Sequence, residues 1–421
     1  MDAITIKYLI IGILIFDFVV ERILDYLNIK NLNAPLPANV AGVYETSEYE
    51  KSQAYQKEKE KVEQIESFFQ FGLYLLLLTQ GYLGGLYDYI HMNVLQMHHF
   101  FVSWSFYASN LLFFGILFIV SDLLSTPFSI YNTFVVENKY GFNKSTVKLF
   151  ITDKLKGYVL AIIIGGLVIS LLLFLIQQLD TSFWWIFWII ISALIVCMNM
   201  FYTSLLLPLF NKLTPLGEGE LKDAIQTYCK KENFPVDNIY IMDGSKRSNK
   251  ANAFFSGFGK KKKIVLFDTL VDQHSIPELI AILAHEAGHF KKKHIIQMMI
   301  LSVFQIGVYL FLLSLLIKNE NLSIALGATG NSIALNLIGF GLLFSPVSSI
   351  TGILVNLLSR KNEYEADAFA AQTSSAKDLG VALKNLSKKN LSNLTPHPAY
   401  VFLHYSHPPV TQRLDAMGIH N

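Results

Sequence analysis

The chain has 421 residues, 52% hydrophobic and only 16% charged, with a net charge of +2 and a mean hydropathy of +0.40. Soluble globular domains carry roughly 25% charged residues, so the composition excludes an ordinary soluble enzyme and points to an integral membrane protein. The small net charge offers nothing to a nucleic acid, and two cysteines, Cys197 in an apolar run and Cys229 in a polar region, form neither a disulfide framework nor a thiolate metal site.

A helix that crosses hydrocarbon needs about twenty apolar residues, because its backbone groups must be satisfied internally. Seven such runs predict seven transmembrane helices, at residues 6–27, 67–90, 101–125, 157–178, 183–207, 295–317 and 332–357. The first carries Asp17, Glu21 and Arg22; its length and the lack of a small-residue cleavage site after it argue for a retained span rather than a signal peptide. Of the 34 Lys and Arg residues, 31 fall in the alternate connections 28–66, 132–156, 209–294 and 359–421. The positive-inside rule therefore places these segments and the C-terminus in the cytoplasm and the N-terminus outside, a pattern that seven spans satisfy and six or eight do not. The basic connections face anionic lipid headgroups. The expected division is 1–208 (spans one to five), 209–294 (a cytosolic catalytic insertion), 295–358 (spans six and seven) and 359–421 (a C-terminal cytosolic segment).

Among the connections, Tyr44 to Gln64 reads as a helix rich in opposed charges, either a solvated helix or a flap over a site. The insertion is long enough to fold: a helix over Gly219 to Lys231, a strand over Ile239 to Met242, and a β-hairpin in "NAFFSGFGKKKKIVLFDTLV" whose edge can accept an extended peptide. The run "HSIPELIAILAHEAGHF" predicts a helix capped by Ser275, with Pro277 in its first turn and Glu278 closing a capping box. With no breaker after it, that helix is expected to run on into the sixth span. His294, five residues beyond His289, is then turned away from the ligand face and sits at the membrane interface. Asp17, Asp88 and Asp122 belong to a hydrated interior or a membrane boundary, and His91, His98 and His99 to the outer interface.

The chemistry concentrates in "HEAGH". Residues four apart share a helix face, so His285 and His289 can aim both imidazoles at one zinc-sized point, leaving the adjacent Glu286 to take a proton from water. The competing reading makes both histidines polar residues at a helix end. A catalytic zinc site needs a third protein ligand. In "SRKNEYEADAFAA", Glu363 and Asp367 share a face while Glu365 points elsewhere. This suggests Glu363 as third ligand and Asp367 as the group that orients a ligand histidine, against a solvated acidic face. Near the C-terminus, His404, His407 and Arg413 offer a histidine for an oxyanion and an arginine to grip a carboxylate; a turn histidine and a surface arginine are the plain alternative.

The motifs "YGFNKST", "PLFNKLTPL", "ANAFFSGFGKKKKIVLFDTL", "HEAGH", "SRKNEYEADAFAA" and "HYSHPP", in this order along nearly the whole chain, resemble the type I CAAX prenyl protease family. The resemblance implies an all-α multipass membrane protein in which seven transmembrane helices form a barrel around a large chamber, with a small cytosolic α+β metalloprotease part. It implies one zinc ion per chain held by His285, His289 and Glu363, Glu286 as base, Asn252 on a substrate strand, and functional His407 and Arg413. Ala251 and Phe254 depart from the family's usual "HSNAYF", which bears on substrate preference. The implied activity removes the terminal tripeptide after a prenylated cysteine, in some members with a second cut upstream. The partners would be a prenylated protein C-terminus or peptide and membrane lipid, and the protein would be a monomer. The location would be the endoplasmic reticulum or nuclear envelope in a eukaryote or the cytoplasmic membrane in a bacterium, with the active site facing the cytoplasm. The rival readings are a general quality-control membrane protease and a seven-helix transporter or scaffold with a structural metal.

Overall fold

The computed structural model describes residues 1–97, 102–234, 238–256 and 263–420. The chain is mostly helical. Among the described residues, four helical stretches are long and apolar enough to cross a membrane: Ala3–Asn31, Trp104–Glu137, Val147–Phe210 and His294–Leu316. A fifth arises if Ile333–Leu343 and Ser345–Thr373, bent by 55° at their junction, count as one.

The differences from the expected seven have local causes. The expected fourth and fifth spans belong to one 64-residue helical stretch, interrupted where Asp180 turns to a φ of 52°. The expected second span is broken at Gly81, whose φ of 70° ends the helix Thr46–Gln80 before Tyr82–Met97 begins. Glycine is required there: Gly81 packs backbone to backbone on Gly327, and a Cβ at Gly84 would stand 2.0 Å from the Ala328 nitrogen.

Two of the three charges of the first span are met by other parts of the chain and the third within its own helix. Asp17 accepts from the Ser345 hydroxyl at 2.7 Å, Glu21 pairs with His404 at 3.2 Å and Arg22 with Asp25 at 2.8 Å. Asp88 accepts the Thr329 N–H at 2.8 Å, and Asp122 gathers Lys154, Thr126 and Tyr158. His91 meets Ser109 at 3.1 Å; His98 and His99 lie outside the described residues. Cys197 and Cys229 are both free thiols.

The segment Tyr44 to Gln64 is not a solvated helix. It forms the first half of Thr46–Gln80, and Tyr49, Ser52 and Tyr55 on one face are buried. Ser52 and Gln56 donate to the Ser392 and Leu391 carbonyls at 2.9 and 2.6 Å, so this face is spent on binding the C-terminal segment.

The insertion carries a four-stranded sheet in the order β1-β2-β4-β3, from β1 (Leu213–Pro215), β2 (Asn238–Met242), β3 (Ala253–Ser256) and β4 (Lys263–Phe267). β2 and β4 run parallel, while β1 and β3 are antiparallel edges. The hairpin pairing is that of β3 with β4, Phe254 opposite Val265; its turn, 257–262, lies outside the described residues. β1, three residues long, carried no alternation from which to foresee it. The helix Glu220–Lys231 and the sheet bury Ile225, Tyr228, Ile264 and Leu266 against Leu279, Leu283 and Ala287. Burial of this kind is worth about 25 cal/mol per Å² of apolar surface; here it fastens the "HEAGH" helix to the sheet.

Candidate metal centre

The "HEAGH" helix spans Ile276–Lys291, with Pro277 in its first turn. Its start is not the expected capping box: Ser275 makes no side-chain cap bond, and the Glu278 carboxylate, which would close the box, turns aside to His274 Nδ1 at 2.6 Å and is also met by Asn385. Nor does the helix continue into the membrane. It stops at Lys291, Lys293 adopts the left-handed conformation with a φ of 59°, and a separate helix starts at His294.

One face of this helix is built from small residues, Ala281, Ala284 and Ala287, all at 0% exposure, and Gly288. It packs closely on the helix Ser345–Thr373: a Cβ on Gly288 would lie 2.9 Å from Ala366 Cα. That approach decides the site, since Ala366 is one turn from Glu363. His285 Nε2 and His289 Nε2 are 3.2 Å apart, and Glu363 reaches them at 3.5 and 3.2 Å.

These distances fit a cation. Donors placed tetrahedrally about zinc at about 2.05 Å lie roughly 3.3 Å from one another, and all three donor atoms here fall within 4.8 Å. Glu363 is 3% exposed, and its Oε2 has no hydrogen bond, only the longer approaches of His285 at 3.5 Å and Arg413 at 3.4 Å, which leaves a buried oxygen that a bound cation would complete.

Behind the donors, Asp367 Oδ1 lies 2.8 Å from His285 Nδ1, which leaves Nε2 free to ligate. Arg413 clasps Asp367 with two bonds of 2.8 and 2.6 Å and stands 3.4 Å from Glu363 Oε2. His407 is exposed at the mouth, its Nε2 3.4 Å from Glu363 Oε1. Asn252 is outside this cluster: it precedes the edge strand β3, accepts the Phe267 N–H on its carbonyl and its own side chain takes the Ala253 N–H at 2.9 Å.

The electrostatics follow from burial among charges. Burial pulls the His285 pKa down, but the Asp367 and Glu363 carboxylates outweigh it and raise it to about 9. Burial raises Glu286 above the usual carboxylate range, against the pull of the two histidines; a carboxylate raised in this way suits a general base.

Helical spacing alone assigns His294 to the membrane interface, turned away from the ligand face. In the folded chain it is 2% exposed with its Nδ1 3.0 Å from His289 Nδ1, because the break at Lys293 swings it back. The signal that could have raised it is the lysine run 291–293, a common way to end a helix whose C-terminal carbonyls attract cations.

Membrane-crossing helices together with two HExxH histidines and a glutamate from a second helix define a class, the integral-membrane metallopeptidases. The chain belongs to peptidase family M48: its residues 215–418 match the profile of that family, and residues 25–212 match the CAAX prenyl protease N-terminal profile, described as five membrane helices. It is 33% identical over 432 residues to CAAX prenyl protease 1 of Saccharomyces cerevisiae, covering 98% of this chain and 95% of that one. Against the CAAX prenyl protease 1 homolog of Arabidopsis thaliana it is 33% identical over 426 residues, covering 99% and 98%. The crystal structure of S. mikatae Ste24p superimposes with a TM-score of 0.90 at 32% identity, covering 99% of this chain and all of that one.

Proposed function

We propose that this protein is a zinc-dependent endopeptidase of the membrane that removes the C-terminal tripeptide from prenylated CAAX proteins and cuts some substrates further upstream. The observation that carries the reading is the triangle of His285, His289 and Glu363 at 3.2 to 3.5 Å with Glu286 adjacent in sequence. The names of the relatives, CAAX prenyl protease 1, supply the substrate class.

In this mechanism His285, His289 and Glu363 would hold one zinc ion, which would supply Lewis acidity and lower the pKa of a bound water. The scissile peptide lies extended along the free edge of β3, within reach of Asn252. Glu286 takes a proton from the attacking water as its oxygen bonds to the scissile carbonyl carbon, and passes it to the amide nitrogen as the C–N bond breaks. His407, at the mouth, donates to the oxygen that gains negative charge. Asp367 fixes the tautomer of His285, and Arg413 fixes Asp367.

We further infer seven crossings around a water-filled chamber. A 64-residue helical stretch would be about 96 Å long if straight, three times the hydrocarbon thickness, so the turn at Asp180 divides it into two; with Ile333–Leu343 and Ser345–Thr373 as one span and Thr46–Gln80 with Tyr82–Met97 as another, the crossings reach seven. A cavity of about 320 Å³ beside His289, bordered by Asn199, Met298 and Asn362, supports water access between the helices. The charge asymmetry supports a site on the cytoplasmic side of an endoplasmic reticulum, nuclear or bacterial membrane, and a monomer contains every residue invoked. The partition 1–208, 209–294, 295–358 and 359–421 follows from the same topology.

The test is cleavage of matched prenylated and unmodified peptides by purified protein. The prenylated peptide alone should be cut efficiently, and Glu286→Gln should keep its zinc and lose cleavage. Equal turnover of both peptides removes the prenyl requirement; activity surviving in Glu286→Gln removes the base.

A further inference from the structure

An unbroken helix would carry His294 about 140° around the axis from His289, since five residues advance by 100° each. The left-handed turn at Lys293 cancels that rotation, at a cost of about 1–2 kcal/mol for a residue with a Cβ. The gain is a contact: His294 Nδ1 lies 3.0 Å from His289 Nδ1, the two rings meeting edge to face at 76°. On its far side His294 Nε2 lies 3.3 Å from Glu365 Oε2, and Glu365 stands only two residues beyond Glu363.

The protons of this chain can be placed by elimination. A histidine that offers Nε2 to a metal carries its proton on Nδ1. His289 Nδ1–H is therefore a donor, and the atom facing it, His294 Nδ1, is an acceptor. A neutral His294 then has its own proton on Nε2, opposite the Glu365 carboxylate, which can only accept. Every group is satisfied in this arrangement. In the reverse one, with His294 Nδ1–H donating, His289 would be protonated on Nε2 and unable to ligate.

We infer that His294, held by Glu365, is a positioning residue that locks His289 in the metal-binding tautomer. The inference rests on the reading that His285, His289 and Glu363 hold zinc. The two ligand histidines are then braced alike, His285 directly by Asp367 at 2.8 Å and His289 through one intervening imidazole. Glu365, turned away from the ligand face, acts from the other side of the second ring.

The experiment measures zinc affinity by chelator competition on the purified full chain, together with the visible absorption of the cobalt-substituted protein. His294→Ala removes the acceptor and is expected to weaken zinc 10- to 100-fold, the usual effect of losing such a partner, and to shift the cobalt bands. His294→Asn places an amide oxygen where it can accept from His289 and should recover most of the affinity. Glu365→Gln keeps the shape but replaces the charged acceptor with an amide that can accept from or donate to His294 Nε2, so the ring is no longer held in one tautomer and zinc affinity should fall by up to roughly tenfold; its partly exposed position spares the fold. Wild-type affinity and spectrum in both His294→Ala and Glu365→Gln would overturn the inference, as would equal loss in His294→Asn and His294→Ala. His285→Ala separates the two levels: if it retains zinc, or the wild type binds none, the metal reading itself fails and this inference with it.

Discussion

Gly288→Ala is the substitution in which packing and metal binding part company. The added Cβ would lie 2.9 Å from Ala366 Cα, 3.1 Å from its carbonyl oxygen and 3.2 Å from Phe369 Cβ. The first gap is about 0.5 Å short of the 3.4 Å where ordinary contact begins, and its neighbour is backbone that no rotamer change can move. The helices must separate by a few tenths of an ångström, more than the roughly 0.2 Å that metal–ligand distances tolerate. Overpacking of this kind costs about 1–3 kcal/mol, but alanine returns about 1 kcal/mol of helix propensity. Thermal stability of the metal-free protein should therefore change little. Zinc affinity should fall roughly tenfold to a hundredfold, because the strain is released by opening the triangle between His285, His289 and Glu363. Chelator competition and a thermal melt on the same preparation measure both, with Gly72→Ala, where nothing lies within 4 Å, as the matched control. Wild-type zinc affinity in Gly288→Ala would refute the claim that this helix crossing sets the ligand geometry.

Three further outcomes follow from the same contacts. Arg413→Ala takes from Asp367, 1% exposed, the guanidinium that grips both its oxygens and leaves the His285 ring at 2.8 Å, so it should cost about 3 kcal/mol in unfolding free energy, the low end for a broken buried pair, with partial zinc loss; Arg413→Lys should fall between, since an ammonium cannot reproduce the fork. In the metal-free protein the His285 pKa of about 9 stands above its ordinary 6.5, so its proton stabilises the fold fully below about pH 6.5 and ceases to do so as pH rises through about 9. Zinc must displace that proton, so its apparent affinity should rise about tenfold per pH unit from 7 and level off above about 9; a flat profile would contradict the assignment. Gly84→Ala sets a Cβ 2.0 Å from the Ala328 nitrogen and should cost about 3 kcal/mol or more, read as a lower melting temperature or lost yield of folded protein.

What the sequence determined by itself was whatever depends on short spacing and on composition. Apolar content announced the membrane, four-residue spacing put His285 with His289 and Glu363 with Asp367 on common faces, and short β-prone runs on either side of a Gly and Lys turn announced β3 and β4. These are consequences of the backbone period alone, which is why they could be read without contacts. Tertiary structure decided what depends on where the chain breaks and what then approaches it. Gly81 breaks a run that hydropathy draws as one span, since a window of apolar residues takes no account of a backbone that must turn against Gly327. The face of Thr46–Gln80 is buried because the C-terminal segment lies on it, more than three hundred residues away. The fate of His294 turned on one residue, Lys293: helical periodicity sends the imidazole away from His289, and a single left-handed turn, held by packing on both sides, brings it back.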